Sequence, residues 1–260
     1  MIARVPGVLH VEVVGRVLVL TLDRPEARNA INAATAAELE AGIARLEEDD
    51  DLWVGVLHHE GPVFSAGADL KEISANAGTG LYRSGGGFAG MVNYPRAKPL
   101  IAAVDGPAVA GGFEVVLSCD CVVASKNARF GLPEVKRGLA AAAGGPFRLA
   151  KVVGPNIAAE MVMTGDTIDV DRAYQLGLVS RVVEPGTVRA AALALAEEIC
   201  ANAPIAVRES RALVAAAFDH DEAELWEMSR EMGRRVFATE DVKEGPLAFI
   251  EKRAPVWKGR

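Results

Sequence analysis

The sequence predicts an α/β fold built around a sheet that contains parallel strands. Short apolar runs with strand character recur along the first half of the chain, and segments of helical composition separate them. Parallel strands need long crossover connections, which are usually helices, so this alternation favours a parallel arrangement. From about residue 185 the strand signal fades and the chain becomes alanine-rich or amphipathic, which predicts a helical C-terminal part.

The first predicted element is a hairpin. Residues 8–14 and 17–22 (VLHVEVV and VLVLTL) are β-type runs on either side of Gly15-Arg16. Two such runs around a short turn that contains glycine are typical of antiparallel strands. We therefore expect the chain to open with two paired strands.

One helix and three buried strands are predicted after the hairpin. Residues 33–49 have helical composition, with apolar side chains at helical spacing. Residues 53–58, 100–104 and 121–124 are short apolar runs that favour buried strands. The glycine-rich stretch 77–90 lacks the GK[ST] ending of a phosphate-binding loop, so we predict an ordinary loop there.

The C-terminal part is predicted to be helical throughout. Four segments have the composition of helices: residues 187–201, 204–217, 221–236 and 240–252. We divide the chain into a core over residues 1–200 and a helical region over residues 201–260. Helices gathered at one end of a fold often pack against another subunit or close over a pocket, and the sequence leaves both open.

Composition and charge narrow the class of protein. Of 260 residues, 50% are hydrophobic and 24% are charged, which is ordinary for a globular chain with a sizeable core. The net charge of −7 argues against a nucleic-acid partner held by phosphate contacts. No stretch approaches the ~20 apolar residues that span a membrane, and the N-terminus lacks a secretory apolar region. We expect a cytoplasmic protein without a nucleic-acid or membrane partner.

The three cysteines favour a structural role. They are Cys119, Cys121 and Cys200, and such an odd, sparse set suggests a reducing compartment. Cys119 and Cys121 lie two positions apart in an apolar stretch, without a second cysteine pair or a histidine cluster. We interpret them as small core residues and expect no metal site.

Glu114 is the most informative single residue. Between Asp105 and Asp120 the sequence reads GPAVAGGFEVVLSC, and Glu114 is its only charge. Burying an unpaired carboxylate is costly, so the group must be neutralised, paired or used. Gly111-Gly112 stands just before it, where a helix can start and backbone N–H groups can face a ligand. This is the outline of an active site, and a buried glutamate satisfied by hydrogen bonds is the alternative.

A family resemblance emerges when four segments are taken together and in order. They are DRPEARNAIN (23–32), FSAGADLKE (64–72), GPAVAGGFE (106–114) and FGLPEV (130–135), the last continuing to Gly144-Gly145. Taken singly, each has a local explanation as a loop, a turn or a helix start. In this order they resemble the enoyl-CoA hydratase/isomerase (crotonase) superfamily over essentially the whole chain. EMVMTG (160–165) and the C-terminal tail also resemble the carnitinyl-CoA dehydratases of that superfamily.

The resemblance implies the ClpP/crotonase-like fold, a spiral of ββα units followed by a C-terminal helical region. It also implies an oxyanion hole formed by the backbone N–H groups of Ala68 and Gly111. Reaction at an acyl thioester places negative charge on the carbonyl oxygen, and two pre-aimed donors stabilise that charge. The family further implies a homotrimer or a dimer of trimers, a role in fatty acid metabolism, and coenzyme A only as part of the substrate, with no separate cofactor.

Glu114 and Glu134 match the positions of the two catalytic glutamates of the family, twenty residues apart. The resemblance implies that Glu114 activates water for attack at C3 while Glu134 delivers a proton to C2. Burial beside a second carboxylate raises a glutamate pKa toward the range that such proton transfer needs. The implied function is a lyase that reversibly adds water across the C2=C3 double bond of 2-enoyl-CoA thioesters.

Coenzyme A is implied to lie across residues 24–30 and 66–71. The implied substrate-binding and CoA-binding residues are Ala27, Arg28, Ala30, Ala66, Asp69, Leu70, Lys71, Gly112, Pro133, Ala142 and Lys252. Arg28 and Lys252 are candidates for the phosphates, although a solvated surface charge explains either one equally well.

Two departures from the common family pattern concern the acyl site. Ala110 replaces the first glycine of the usual GGG, which leaves the N–H of Gly111 in place. Residues 141–146 (AAAGGP) replace a PGAGGT-like stretch, and the backbone N–H of Ala142 can still orient water.

Other functions stay open at this point. A carnitinyl-CoA-type dehydratase, or an isomerase or hydrolase of the same superfamily, would use a related set of residues on a different acyl group. Some relatives bind RNA, which the net charge of −7 and the lack of a basic stripe disfavour. A catalytically silent scaffold would lack the two glutamates, and both are present.

Overall fold

The computed structural model describes residues 8–260. Its strands are β1 (Leu9–Val14), β2 (Val17–Leu22), β3 (Val54–His59), β4 (Tyr82–Arg83), β5 (Gly87–Phe88), β6 (Leu100–Val104), β7 (Pro107–Val109), β8 (Cys121–Ser125), β9 (Arg129–Gly131), β10 (Thr167–Asp169) and β11 (Arg181–Val183). Its helices are α1 (Ala33–Glu48), α2 (Leu70–Asn76), α3 (Gly111–Leu117), α4 (Gly145–Val153), α5 (Pro155–Thr164), α6 (Val170–Gln175), α7 (Val188–Cys200), α8 (Pro204–Ala216), α9 (Glu222–Phe237) and α10 (Asp241–Glu251).

The main sheet has six strands in the order β1-β2-β3-β6-β8-β11. Only β1 and β2 pair antiparallel, with Val14 opposite Val17, which confirms the predicted hairpin. The pairs β2–β3, β3–β6, β6–β8 and β8–β11 are all parallel. Every residue of β2 and of β6 is buried, as expected for parallel strands that are covered on both faces.

A second, smaller sheet lies beside the first and completes the spiral. Its strands run in the order β10-β9-β7, and two isolated parallel bridges, Ile31 with Ala68 and Ser65 with Ala108, extend it. Successive turns of the chain contribute a strand to the main sheet, then a short segment to the second sheet, and then a helix. This repeated order is the ββα spiral that the resemblance implies, so the fold prediction is confirmed.

Alternating side chains of the main sheet enter two hydrophobic clusters. Val17 and Val19 of β2 face α7, where Ala192 and Ala196 are fully buried. Leu18 and Leu20 of the same strand face the larger cluster, which includes the buried side of α1. The strand period of two therefore places one face of the sheet under α7 and the other toward the interior of the spiral.

The C-terminal helices are present where the sequence predicts them. Helix α9 begins with a capping box in which Asp221 and Glu224 bond each other's backbone N–H groups. Large apolar side chains stay exposed along these helices, among them Val214, Trp226 and Phe237. Within residues 8–260 no single helix has the length and apolar content to cross a membrane; α7 and α8 meet that test only as a pair bent by 108°.

The prediction of a plain loop over residues 77–90 is wrong in part. The segment contains a helical turn at Thr79–Leu81 and the short β4–β5 hairpin. Leu81 and Phe88 are buried, and the Phe88 ring meets the Tyr82 ring edge-on with 5.5 Å between centroids. Burial of these two apolar side chains orders a stretch whose glycine content suggests a loop.

Candidate active site

The backbone N–H of Ala68 points away from its own sheet partner. Ile31 donates its N–H to the Gly67 carbonyl, and Asp69 donates its N–H to the Ile31 carbonyl, both at 2.8 Å. Successive N–H groups of an extended chain point to opposite sides, so the Ala68 N–H faces the other way. Gly67 has φ +90°, and a Cβ there would lie 2.8 Å from the Gly111 nitrogen. Glycine at this position therefore allows the two backbones to approach.

Gly111 is the first residue of α3, where a helix leaves its N–H groups without intrahelical acceptors. Backbone hydrogen bonds of Ala110 fix the turn before it. Ala110 donates its N–H to the Gly131 carbonyl of β9, and its own carbonyl accepts the N–H groups of Phe113 and Glu114. Ala110 adopts φ 52° and ψ −135°, a strained conformation for a residue with a side chain. Gly111 lies close to Ala68: a Cβ on Gly111 would be 3.5 Å from the Ala68 nitrogen.

The Glu114 carboxylate is buried and held by two backbone donors. Its Oε1 accepts the N–H groups of Ala143, at 2.7 Å, and of Gly145, at 2.8 Å. Burial raises the pKa of this carboxyl, while those two hydrogen bonds and the nearby charge of Arg148 oppose the rise. A Cβ on Gly145 would lie 2.9 Å from Glu114 Oε1, so glycine is required for this contact.

Glu134 has a different environment. It lies in the helical turn Pro133–Arg137, which begins with a proline. Its Oε2 is buried and has no hydrogen-bond partner within residues 8–260. Burial raises its pKa to about 7; a hydrogen bond to its own backbone opposes the rise and the charge of Glu114 adds to it.

The two carboxyls are therefore suited to opposite roles in proton transfer. Glu114 receives two N–H donors, which favour the ionised form that accepts a proton. Glu134 keeps a substantial protonated fraction near neutral pH, which suits a proton donor. Two carboxyl groups that share a cavity but differ in their hydrogen bonding are typical of acid–base catalysis.

Both glutamates face one cavity of about 510 Å³, a size suited to a small-molecule ligand. Ala68, Ala110 and Gly111 line the same cavity. Its apolar wall comes mainly from α2 and the segment that follows it, through Leu70, Ile73, Ala77, Leu81, Tyr82 and Phe88. Three cationic side chains also line it: Arg28, Lys136 and Arg137. The cavity thus combines an apolar pocket, two acid–base groups and two backbone donors.

Five of the predicted binding residues line this cavity: Arg28, Ala66, Leu70, Pro133 and Ala142. Six others are not among its lining residues: Ala27, Ala30, Asp69, Lys71, Gly112 and Lys252. Asp69 instead caps α2 by accepting the Lys71 N–H, and it pairs with Arg24 at 3.3 Å. Gly112 packs tightly on Ser65, whose carbonyl oxygen a Cβ would approach to 2.4 Å.

Several residues of the site have no strong local signal in the sequence. The donors from Ala143 and Gly145 to Glu114 join positions 29 and 31 residues apart. Tyr82 and Phe88 stand in a glycine-rich stretch that predicts a loop. Only the Gly144-Gly145 pair hints at a close approach of backbone to another group. Within residues 8–260 no cluster of three or more His, Cys, Asp or Glu side chains could hold a metal.

Comparisons with known proteins match nearly the whole chain. The model of the enoyl-CoA hydratase/isomerase family matches residues 12–260. A carnitinyl-CoA dehydratase from Salmonella typhi is 39% identical over 258 residues, covering 97% of this chain and 98% of that protein. A mevalonyl-coenzyme A hydratase from Aspergillus fumigatus is 40% identical over 248 residues, covering 93% and 91%.

Solved structures are similar over nearly the same length. An enoyl-CoA hydratase from Mycobacterium tuberculosis has a TM-score of 0.94 at 40% identity, covering 98% of this chain and 100% of that one. A carnitinyl-CoA hydratase from Mycobacterium avium has a TM-score of 0.77 at 43% identity, with the same coverage. With its spiral fold and its two glutamates, the chain belongs to the enoyl-CoA hydratase/isomerase family.

Proposed function

We propose that the protein is an enoyl-CoA hydratase, a lyase that reversibly adds water across the C2=C3 double bond of 2-enoyl-CoA thioesters. The proposal rests on two unlike carboxyl groups in one cavity, the buried Glu114 and the half-buried Glu134. Glu114 is held by two N–H donors, whereas Glu134 has a free oxygen and a pKa of about 7. Hydration needs one group that accepts a proton from water and one that gives a proton to carbon.

The thioester carbonyl is proposed to lie between the N–H groups of Ala68 and Gly111. Addition at C3 moves an electron pair through C2 onto the carbonyl oxygen and gives an enolate. Two donors fixed by the backbone stabilise this charge, and the loss of one such donor typically costs about 3 kcal/mol. The close packing of Gly67 against Gly111 supports a fixed spacing of the two donors.

Glu114 is proposed to accept a proton from a water molecule while the oxygen of that water attacks C3. Glu134 in its protonated form then donates its proton to C2, and the enolate returns to a thioester. At the end Glu114 is protonated and Glu134 is ionised, and proton exchange with solvent resets the pair. Dehydration follows the same steps in reverse. The N–H of Ala142, on the cavity wall, is a further candidate to orient the water.

Coenzyme A is proposed to enter past Arg28, the one predicted phosphate-binding residue that lines the cavity. It is part of the substrate, and we propose no separate cofactor. Lys252 lies at the end of α10 in a left-handed conformation with φ 56°, and its predicted contact with the phosphates stays a prediction. A homotrimer or dimer of trimers, a cytoplasmic location and a role in fatty acid metabolism complete the proposal as expectations from the family.

A dehydratase of the carnitinyl-CoA type is the second candidate. Relatives with that name are 39% identical to this chain, which is the observation that favours it. Its acyl group would carry a quaternary ammonium. Of the cations that line the cavity, Arg28 is proposed for the phosphates of coenzyme A, so Lys136 and Arg137 would meet the acyl group. Lys136 is paired with Asp166 at 2.5 Å, which leaves Arg137 without an acid partner among the described ion pairs. An uncharged acyl group fits this wall better.

Both candidates are tested by one substrate panel. Purified protein is mixed with straight-chain 2-enoyl-CoAs of increasing length and with crotonobetainyl-CoA, and loss of the conjugated thioester absorbance is followed. We expect turnover of at least one uncharged enoyl-CoA. Turnover of crotonobetainyl-CoA alone would establish the second candidate, and no turnover of any substrate would contradict both. Glu38→Gln, on the exposed face of α1, serves as the control for changes made to the two catalytic glutamates.

A further inference from the structure

The guanidinium of Arg148 lies against the loop that holds Glu114. This half-buried side chain of α4 donates from Nη1 to the Ala143 carbonyl at 3.3 Å and from Nη2 to the Val92 carbonyl at 2.5 Å. Val92 is buried and follows the β4–β5 hairpin, whose Phe88 lines the cavity. Arg148 therefore joins two segments on different sides of the active site.

The contact with Ala143 is directly coupled to Glu114. Ala143 accepts from Arg148 through its carbonyl and donates its own N–H to Glu114 Oε1 at 2.7 Å. Gly144 covers the guanidinium so closely that a Cβ there would lie 2.8 Å from Nη1. Gly144 and its neighbour Gly145, the second donor to Glu114, are thus fixed by the same packing. A shift of Arg148 would move both donors.

The charge of Arg148 also acts on Glu114 without contact. Within residues 8–260 its recorded hydrogen bonds go to backbone carbonyls, and no ion pair with a carboxylate is formed. Burial raises the pKa of Glu114, and the positive charge of Arg148 opposes that rise. The charge of Glu114 also acts on two other titratable groups, Glu134 and Tyr82. Burial is the largest cause that raises the pKa of each, and the Glu114 charge adds to the rise. Arg148 is the only cation in this set.

We propose that Arg148 is a positioning residue: it fixes the loop whose N–H groups orient the Glu114 carboxylate, and its charge favours the ionised form of that carboxylate. This inference rests on the proposed hydration function, in which Glu114 must be ionised to accept a proton. It adds a residue of α4 that touches neither the cavity nor the substrate to the machinery of the reaction. Cys119 and Arg96 are the other titratable groups near the guanidinium, and Arg96 is paired with Asp120 at 2.5 Å.

The test compares Arg148→Gln, Arg148→Lys and the control Lys151→Gln. Gln keeps a donor without the charge, whereas Lys keeps the charge and loses the two-pronged contact. Lys151 is on the same helix but pairs with Asp219 at the surface, so its loss controls for a general change in charge. Hydration of the enoyl-CoA that the wild type uses best is measured from pH 5 to pH 9, with the melting temperature of each variant.

For Arg148→Gln we expect kcat to fall roughly 10- to 100-fold with KM changed less than threefold, as a displaced catalytic group typically produces. The acidic limb of the pH profile should move to higher pH, because Glu114 loses the charge that favours its ionised form. Arg148→Lys should lose kcat severalfold and keep the wild-type acidic limb. Lys151→Gln should match the wild type in both readouts.

An unchanged acidic limb in Arg148→Gln would overturn the electrostatic part of the proposal, even if stability fell. If that variant does not fold, Arg148→Lys with full wild-type kcat would overturn the positioning part. Carbon-13 NMR titration of the Glu114 carboxyl, assigned by its absence in Glu114→Gln, needs no turnover. The titration therefore distinguishes a failure of this proposal from a failure of the proposed function. An inactive wild type would contradict hydration, and the titration would still test the effect of Arg148 on Glu114.

Discussion

Two buried charged regions of this protein are built in opposite ways. Lys98 is 1% exposed, and its Nζ donates to the carbonyls of Leu46 and Asp49, each at 2.7 Å. These carbonyls lie at the C-terminal end of α1, where a helix leaves its acceptors unpaired. Glu114 is 3% exposed and satisfied at Oε1, but its companion Glu134 has a buried oxygen without a partner in residues 8–260.

The two regions differ in how their charged groups are satisfied. The fold supplies hydrogen-bond acceptors to Lys98, whereas Glu134, which lines the cavity, has an oxygen without a partner in residues 8–260. Burial lowers the pKa of Lys98, and two carbonyls stabilise its charged form in place. His59, Asp105 and Arg208 also contain a buried atom without a partner, but none of them lines the cavity. A missing partner therefore indicates function here only when the atom also faces a cavity that a substrate can fill.

The largest expected effect is the loss of activity when either glutamate becomes a glutamine. Glu114→Gln and Glu134→Gln should each lower kcat by about 10²- to 10⁴-fold, because general acid–base catalysis contributes that much. Acyl-CoA binding should change less than threefold, since in the proposed function backbone donors hold the thioester and other residues hold the CoA moiety. Initial rates and calorimetric titration with a non-reactive acyl-CoA measure the two quantities, and near-normal turnover in both variants would contradict the assignment.

The second largest effect is expected on the stability of the fold, when Lys98 is replaced. Lys98→Met should lower the free energy of unfolding by roughly 2–4 kcal/mol, because the Leu46 and Asp49 carbonyls lose their buried donor. The folded fraction should keep wild-type kcat, since Lys98 does not line the cavity. Urea unfolding and active-site-normalised rates test this prediction. A stable variant with reduced kcat would reverse the roles that we assign to the two regions.

A pH-dependent effect on stability should distinguish Glu134 from Lys98. The folded pKa of about 7 lies above the ordinary glutamate value, so the native state holds its proton more tightly than the unfolded chain. The contribution of Glu134 to stability is therefore full below about pH 4.5 and falls as the pH rises through 7.

Glu134→Gln removes this dependence because glutamine stays neutral at every pH. From pH 5 to pH 8 the wild type should lose about 1 kcal/mol more stability than the variant, an amount reduced for the partial exposure of the carboxyl. Urea unfolding of both proteins at the two pH values measures the difference. Equal losses would show that Glu134 ionises normally in the folded protein.

The smallest predicted effect concerns backbone strain beside the proposed oxyanion hole. Ala110→Gly should raise the free energy of unfolding by about 0.5–1 kcal/mol, because glycine adopts φ 52° without the steric cost that alanine bears. Ala41→Gly, on an exposed position of α1, should lower it by a similar amount. Thermal and urea unfolding test the opposite signs, and two losses of stability would show that Ala110 is not strained.

Much of the fold can be predicted from the sequence because its signals are local. The hairpin at Gly15, the buried strands and the four C-terminal helices follow from short-range periodicity and turn chemistry. The glycine-rich stretch at 77–90 is the exception. Leu81 and Phe88 are buried there, and the Phe88 ring lies beside Gly111. Local composition cannot predict contacts between residues that are far apart in the sequence.

Part of the site can be predicted in the same way. Glu114 stands out as the only charge of an apolar run, and the glycines at 67 and 111 mark places where two backbones come close. Arg28, Ala66 and Leu70, which the family resemblance implies as binding residues, line the cavity. The resemblance gives Asp69 and Gly112 the same binding role, although neither lines the cavity. Asp69 caps a helix, and Gly112 packs on a neighbouring chain segment.

The sequence shows which groups are available: two glutamates and a set of small residues around them. How each group behaves depends on the folded structure. The donors that orient Glu114 come from a loop about 30 residues away, and Glu134 Oε2 is buried without a hydrogen-bond partner in residues 8–260. Local structure follows from short-range geometry, whereas a pKa depends on every charge and dipole that folding brings near.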